Sequence, residues 1–332
     1  MTDGAPRRAV AVLGIGLFGV GLAVGGFGVY VNRLIAGGVA PGVAGLGSSL
    51  FLLGQLAVVN YAARLILGFG LGTTFLTAMK YAGRRTTTGD TARLQGVLGA
   101  TFTLGLAVGI PVMPPAVEVF GPVAPSVAAA VPVAAGALFA PSLTPVQSNG
   151  HRPFGAYVDA FGNPTSLALG LANAASYGLL IVATTWYTDV LAGIPTMPVA
   201  LVLAGFAAAT FVGRTGSGWL TAVTTERGAV GGSLLFLAGA LALVAGALWA
   251  GSVPFLAVGL VLTGASFGLP FGPLNSLAFA NLGNGAALVY PWLVGWLLSM
   301  TQGYVVGFVV MALSVLAVAA LWRWVMSPTP HR

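Results

Sequence analysis

The sequence predicts an all-α, polytopic membrane protein built as a bundle of about eleven transmembrane helices, and two observations carry this prediction. Only 6% of the 332 residues are Asp, Glu, Lys or Arg, whereas 57% are hydrophobic, and the mean hydropathy is +0.96. No soluble domain of this length can cover its surface with so few charges. The charges also fall in short islands between apolar runs, each long enough to cross ~30 Å of hydrocarbon as a helix.

Composition excludes several classes of function. The net charge of +7 is spread thinly over the predicted helix ends, so we expect no nucleic-acid partner. Without cysteine and with two histidines, the chain offers no disulfide, no thiolate zinc site and too few ligands for a designed metal site. The sequence contains neither a phosphate-binding G-x-x-x-x-G-K-[ST] loop nor a nucleophile–base arrangement. We therefore predict no cofactor, no direct ATP coupling and no enzymatic activity.

Eleven segments are predicted to cross the membrane: residues 8–31, 43–59, 60–80, 93–115, 120–141, 165–187, 197–213, 229–250, 253–280, 284–301 and 304–322. The 50 glycines are interpreted as packing residues, because small residues let membrane helices approach closely. The longest polar connection, 142–164, is predicted to be a cytoplasmic linker. It divides the chain into an N-terminal bundle over 1–141, with about five helices, and a six-helix C-terminal bundle over 165–332.

The positions of Lys and Arg predict the orientation, since cytoplasmic connections carry an excess of both. If the island around Arg84 is cytoplasmic, alternation of the predicted spans places every later basic connection on the same side. Glu118 and Asp189 then lie outside. The lipid bilayer is thus an expected partner, and the cell membrane the expected location.

The amino-terminal region does not follow this scheme. With Arg7 and Arg8 in the cytoplasm, an even number of crossings must precede residue 84, whereas three spans are predicted there. Either one segment within 43–79 is partial or re-entrant, or the N-terminus lies outside.

A short internal repeat links the two halves. Residues 67–75 and 263–271 share glycine, three residues, glycine, two residues and phenylalanine, and both run in the same direction in this scheme. Two halves with a parallel repeat resemble the major facilitator superfamily of secondary transporters. Residues 41–54 resemble the start of its second helix, and 64–70 its fourth-helix pattern of an arginine before a glycine cluster. Residues 213–228 resemble its signature loop between the eighth and ninth helices.

This resemblance implies a secondary transporter that moves a small molecule by alternating access, with a coupling ion such as H⁺, and that works as a monomer. The chain is shorter than is usual in the family, and the signature loop expected in its first half is absent. A loss of roughly one helix accounts for both. It leaves a second hypothesis open, a non-transporting remnant or a structural membrane protein.

Arg64 is the first candidate binding residue, because it is predicted to lie deep in an apolar stretch. Charges in hydrocarbon are costly, so they normally face the bundle interior or water. Arg64 is therefore either an anion or proton-coupling site, or a structural arginine near the outer interface. The first reading favours a small anion as substrate.

Polar residues on apolar spans supply the other binding candidates. Asn173, Tyr177 and Thr184 share one face at 100° per residue, which predicts either a cavity-facing stripe or interhelical hydrogen bonds. Asn275 shares a face with the glycine pair of the second repeat, consistent with a central cavity or with plain packing.

The resemblance assigns a gating loop to Arg214, Glu226 and Arg227. Trp186 and Tyr187 are predicted to anchor the protein at the lipid interface, where both residue types are enriched.

Overall fold

The fold was analysed in a computed structural model. It describes residues 4–25, 35–43, 74–75, 77–85, 88–121, 123–143, 162–194, 198–277 and 289–327.

Three long helices form the described part of the N-terminal half. They are α1 (Gly4–Gly25), α2 (Thr88–Phe120) and α3 (Ala124–Phe139). Residues 77–85 are also helical.

Eight helices are described in the C-terminal half. They are α4 (Pro164–Asn173), α5 (Leu179–Ala192), α6 (Val199–Val223), α7 (Glu226–Ala250), α8 (Val253–Gly268), α9 (Phe271–Leu277), α10 (Val289–Thr301) and α11 (Val305–Met326). One turn of π-helix, Ala174–Gly178, joins α4 to α5.

Local sequence explains several of the boundaries. The side chain of Asn163 caps α4 by accepting hydrogen bonds from the amides of Thr165 and Ser166, and a proline occupies the first turn. Thr225 caps α7 in the same way through the amide of Gly228. Gly251 ends α7 with a φ of 64°, in the left-handed region that glycine adopts without strain.

The prediction of an all-α polytopic bundle is confirmed. Eight helices or helix pairs in the described residues are long and apolar enough to cross a membrane. Seven of them match predicted spans within about six residues at each end, whereas the predicted span 197–213 continues to Val223. The predicted spans 43–59 and 60–80 lie largely outside the described residues, as does the linker 142–164, so the division into two bundles stays a prediction.

Charge separates the two ends of the bundle. Arg93 stacks on Trp219 near the end of α6, and the carbonyl of Arg227 accepts a hydrogen bond from Trp322 near the end of α11. We call this the basic end. Helix α2 runs away from it towards Glu118, and α5 towards Asp189; we call the opposite end the acidic end. This separation agrees with the predicted orientation.

Helix α1 begins at the basic end, because it runs parallel to α2. Gly14, in the middle of α1, contacts Thr101 of α2, and Gly25, at the end of α1, contacts Gly109 further along α2. Arg8 therefore lies at the same end as Arg84, whose helical segment 77–85 is joined to α2 by a hydrogen bond from Gln95 to the Met79 carbonyl. The start of α1 and the island around Arg84 thus lie on the same side, in agreement with a cytoplasmic position for Arg8.

Helices α1 and α2 approach closely through glycines. A Cβ atom added at Gly21 would collide with the Phe102 carbonyl, and one added at Gly105 with the Phe18 carbonyl. Close backbone approach of this kind is what associates membrane helices when burial of apolar surface supplies little driving force.

We predict that Gly21→Ala destabilises the protein by about 1–3 kcal/mol, because the added methyl group must push α1 and α2 apart. Gly239→Ala is the matched control, since that helical glycine in α7 faces open space. Thermal unfolding of the detergent-purified protein, followed by circular dichroism, measures both. Equal melting temperatures for the two variants would contradict the described packing of α1 on α2.

Candidate functional site

At the basic end, the two halves of the chain meet with their backbones in contact. A Cβ atom at Gly96 of α2 would lie 2.6 Å from the Arg214 carbonyl of α6, and one at Gly218 would lie 2.5 Å from Cα of Arg93. One at Gly272 of α9 would lie 2.7 Å from the Ala92 carbonyl. Three glycines thus remove the space between α2 and the C-terminal half, and this end of the interface is closed.

Towards the acidic end, the same halves are separated by a cavity of about 810 Å³. Helices α1 and α2 line one side, and α5 and α6 the other. Two prolines of α2, Pro111 and Pro114, stand in its wall. Among the lining residues that the structure describes, Thr184 and Thr188 are polar and the others are apolar.

Below the cavity, on the way to the basic end, Arg214 is enclosed between the halves and is only 1% exposed. Its Nη1 donates a hydrogen bond of 2.9 Å to the Gly99 carbonyl of α2. Its guanidinium lies over two rings, 4.9 Å from the centre of Phe102 and 4.4 Å from that of Phe271. Phe75 packs edge-on against both rings. We call Arg214 and these three phenylalanines the arginine box.

The arginine box lacks a carboxylate. Within the described residues, the Nε of Arg214 is buried without a hydrogen-bond partner. The hydroxyl of Tyr177, on the π turn, lies close enough to the guanidinium to interact with it electrostatically. The site is therefore a desolvated cation held by a carbonyl oxygen and aromatic faces.

The predicted stripe of Asn173, Tyr177 and Thr184 is divided by the π turn. A π turn contains more residues than an α-helical turn, so a spacing of 100° per residue does not carry across Ala174–Gly178. Thr184 lines the cavity and donates its hydroxyl proton to the Ile181 carbonyl at 3.0 Å. Tyr177 approaches the arginine box instead, and Asn173 is half-buried at the end of α4.

Arg214 does not lie in a loop, which corrects the sequence prediction. Helix α6 continues to Val223, and the connection to α7 is limited to Thr224 and Thr225. The prediction rested on the resemblance of residues 213–228 to a signature loop, but Gly213 and Gly218 allow α6 to approach neighbouring helices closely. Sequence reasoning therefore missed Arg214 as a buried cation; its position nine residues before the end of an apolar span was the available signal.

The other predicted gating residues lie at the basic end. Glu226 accepts a hydrogen bond of 2.7 Å from the hydroxyl of Ser276, which joins the start of α7 to α9. The side chain of Arg227 is exposed, and its carbonyl holds Trp322 at 3.0 Å. Neither residue is part of the arginine box.

Asn275 is half-buried, and its amide donates a hydrogen bond of 2.8 Å to the Phe271 carbonyl of its own helix. The glycine pair that shares its predicted face, Gly264 and Gly268, packs against the backbone of α6. Of the two explanations offered for that face, a central cavity or helix packing, packing is therefore the one that applies to the glycines. Arg64 lies outside the described residues.

Trp186 and Tyr187 are buried rather than at the lipid interface, which corrects a second expectation. The indole of Trp186 donates to the Pro291 carbonyl at 3.3 Å, and the hydroxyl of Tyr187 bonds that of Thr263 at 2.8 Å. Nearby, Tyr304 donates its hydroxyl proton to Asp189. Burial and the adjacent carboxylate raise the pKa of Tyr304 above its ordinary value.

This architecture is that of a multi-pass α-helical membrane protein with a cavity between two packed halves. Comparison with solved structures assigns the fold more closely. The chain matches a major facilitator superfamily transporter, FucP, in the outward conformation, with a TM-score of 0.60 and 14% identity, over 98% of this chain and 91% of that one. It matches the human organic anion transporter MFSD10 with a TM-score of 0.59 and 15% identity, over 96% and 83%.

A variant of the E. coli fucose:proton symporter FucP gives a TM-score of 0.61 at 13% identity, over 97% and 95% of the two chains. No model of a known protein family and no curated protein sequence matches the chain. The chain therefore has the fold of the major facilitator superfamily, as the sequence resemblance predicted, and identities this low establish the fold alone.

We predict that Arg214→Met leaves the free energy of unfolding within about 1 kcal/mol of the wild-type value, because removal of a buried charge offsets the lost contacts. The Gly99 carbonyl keeps a partner in the hydroxyl of Thr103, at 3.2 Å. Arg214→Lys should cost about 1–3 kcal/mol, since an ammonium is more strongly hydrated and cannot stack on rings. Thermal unfolding in detergent compares the three proteins, and a larger loss in Arg214→Met than in Arg214→Lys would show that a positive charge at this position is a structural requirement.

Proposed function

We propose that this protein is a secondary transporter that carries a small solute across the membrane by alternating access. The observation that carries the proposal is the asymmetry of the interface between the halves. One end holds a cavity of about 810 Å³, whereas the other end is closed by contacts at Gly96, Gly218 and Gly272. This is the geometry of a carrier in one of its two access states.

The same two helices take part in both features, which supports a rocking motion. Helix α2 supplies Ala92 and Gly96 to the closed end and Ala107 to the cavity; α6 runs beside it from Leu203 at the cavity to Gly218 at the closed end. Rotation of one half against the other would open the basic end and close the cavity. Glycine contacts suit such a motion, because they are made by small surfaces without interlocking side chains.

The finer features of the proposal follow from the predicted orientation and from the fold. With the basic end in the cytoplasm, the cavity faces outwards across the cell membrane. A matching structure is named as a fucose:proton symporter, which supports a small-molecule substrate and H⁺ as coupling ion. Arg64, Asn173, Tyr177 and Asn275 stay candidates for substrate binding, and Arg214, Glu226 and Arg227 candidates for gating. We propose the monomer as the transporting unit.

The alternative is a membrane protein that has this fold but does not transport. The short N-terminal half favours it, and so does the directness of the backbone contacts at the basic end. The two functions differ in one physical property, which is whether the contacts between α2 and the C-terminal half ever open.

Single cysteines can measure that opening, because the chain contains no cysteine of its own. We predict that Ala204→Cys, in the cavity wall, reacts with a membrane-impermeant maleimide added at the acidic end. Ala92→Cys, which is 1% exposed against Gly272, should react from the basic end at a slower but measurable rate as the halves separate. Labelling in oriented membrane vesicles gives both rates.

Thr224→Cys is the control, since that residue is exposed in the turn at the basic end and should react in either state. If Ala92→Cys stays unlabelled while Thr224→Cys reacts completely, the basic end does not open and the non-transporting alternative holds.

A further inference from the structure

The charge of Arg214 is not neutralised within the described part of the protein. The carboxylate of Glu226 accepts a hydrogen bond from Ser276, and the carboxylate of Asp189, at the acidic end, accepts one from Tyr304. Asp90 and Glu118 are exposed near the two ends of α2. Among the described residues, Arg214 is therefore a buried positive charge without a carboxylate partner.

An isolated charge inside a membrane protein is costly, and such residues commonly mark the path of a substrate or ion. The guanidinium uses Nη1 for the Gly99 carbonyl and leaves Nε, also buried, without a partner. A guanidinium with free donors presents a planar fork that fits a carboxylate. A single carboxylate would supply both the missing acceptor and the missing negative charge.

The cavity lies directly above the arginine box. Three elements that line the cavity continue to the box: α2 from Ala107 to Phe102, α5 through the π turn to Tyr177, and α6 from Phe206 to Arg214. At 1.5 Å per residue, the distances along these helices are about 8–12 Å. Arg214 is enclosed and does not itself line the cavity, so a ligand in the lower part of the cavity reaches it when α2 separates from α5 and α6 over this distance.

The lining of the cavity favours an apolar molecular body. Among its described lining residues, Thr184 and Thr188 are polar, and the others are glycine, alanine, proline, valine, leucine, isoleucine and phenylalanine. A strongly hydrated inorganic anion or a polyhydroxylated solute would lose water there without gaining hydrogen bonds. An apolar group would be favoured by the same surfaces.

We propose that the substrate is an amphipathic monovalent carboxylate, with its apolar body in the cavity and its carboxylate on Arg214. This inference rests on the proposed transport function, whose site it specifies. One positive charge without a buried partner matches one negative charge, so di- and trivalent anions are disfavoured. The carboxylate would bind beside the existing hydrogen bond from Arg214 to the Gly99 carbonyl, a contact that joins α6 to α2.

Binding to the purified wild-type protein in nanodiscs tests the proposal without a transport assay. Three probes of nearly equal shape are titrated by isothermal calorimetry: 4-phenylbutyrate, its neutral amide and the corresponding amine. Nitrate serves as the inorganic anion. We expect 4-phenylbutyrate to bind at least tenfold more tightly than each of the other three. Equal binding of the amide, preference for the amine or nitrate, or no binding of the acid overturns the proposal.

Two variants locate the site. Arg214→Gln should weaken 4-phenylbutyrate at least tenfold, while Arg323→Gln, which removes an exposed charge at the basic end, should not change it. Retained affinity in Arg214→Gln places the carboxylate elsewhere and overturns the assignment. The binding experiment tests the substrate assignment, whereas labelling of Ala92→Cys tests transport. A failure of 4-phenylbutyrate to bind is therefore distinguishable from a failure of Ala92→Cys to become labelled.

Discussion

The structure depends on the close approach of α2 to α6 and α9 at the basic end. Glycines 96, 218 and 272 bring backbone atoms of the two halves into contact, where side chains would hold them apart. This contact encloses Arg214 and holds Phe102 and Phe271 against its guanidinium. It also leaves the acidic side of the same interface open, so one set of missing side chains produces both the closed end and the cavity. In a bilayer, where apolar burial gives little preference between helices, such contacts decide which surfaces pair.

The fold was largely predictable from the sequence, because the membrane imposes a strong rule: apolar runs of sufficient length become helices, and charge marks their ends. Glu226–Ala250 and Val305–Met326 correspond to the predicted 229–250 and 304–322 within a few residues. The side on which α1 begins was left open by the sequence, since it depends on the number of crossings between Arg8 and the charged island at Arg84. The parallel contact of α1 with α2 places the start of α1 on the same side as Arg84. Hydropathy carries no information about such contacts between helices.

The candidate site was predictable only in part. Tyr177 was identified by its polarity, but its relation to Arg214 was not, because the π turn at Ala174–Gly178 changes the rotation of the helix and leaves no simple pattern in the sequence. Arg214 was assigned to a loop because residues 213–228, with glycines at 213, 216 and 218, resemble the family's signature loop. In water that composition favours a turn, whereas between membrane helices the same residues allow backbones to touch. The ambiguity is physical, and tertiary contact resolves it.

The unbalanced charge of Arg214 has an electrical consequence. Moving one elementary charge through the full membrane field changes the free energy by about 2.3 kcal/mol per 100 mV. If reorientation of the halves shifts the arginine through part of that field, an empty carrier moves net positive charge and responds to voltage. With a monovalent anion bound, the pair is neutral and the same step is nearly insensitive to potential. The resting potential would then act on the return step of the unloaded protein and determine which side of the membrane its cavity faces at rest.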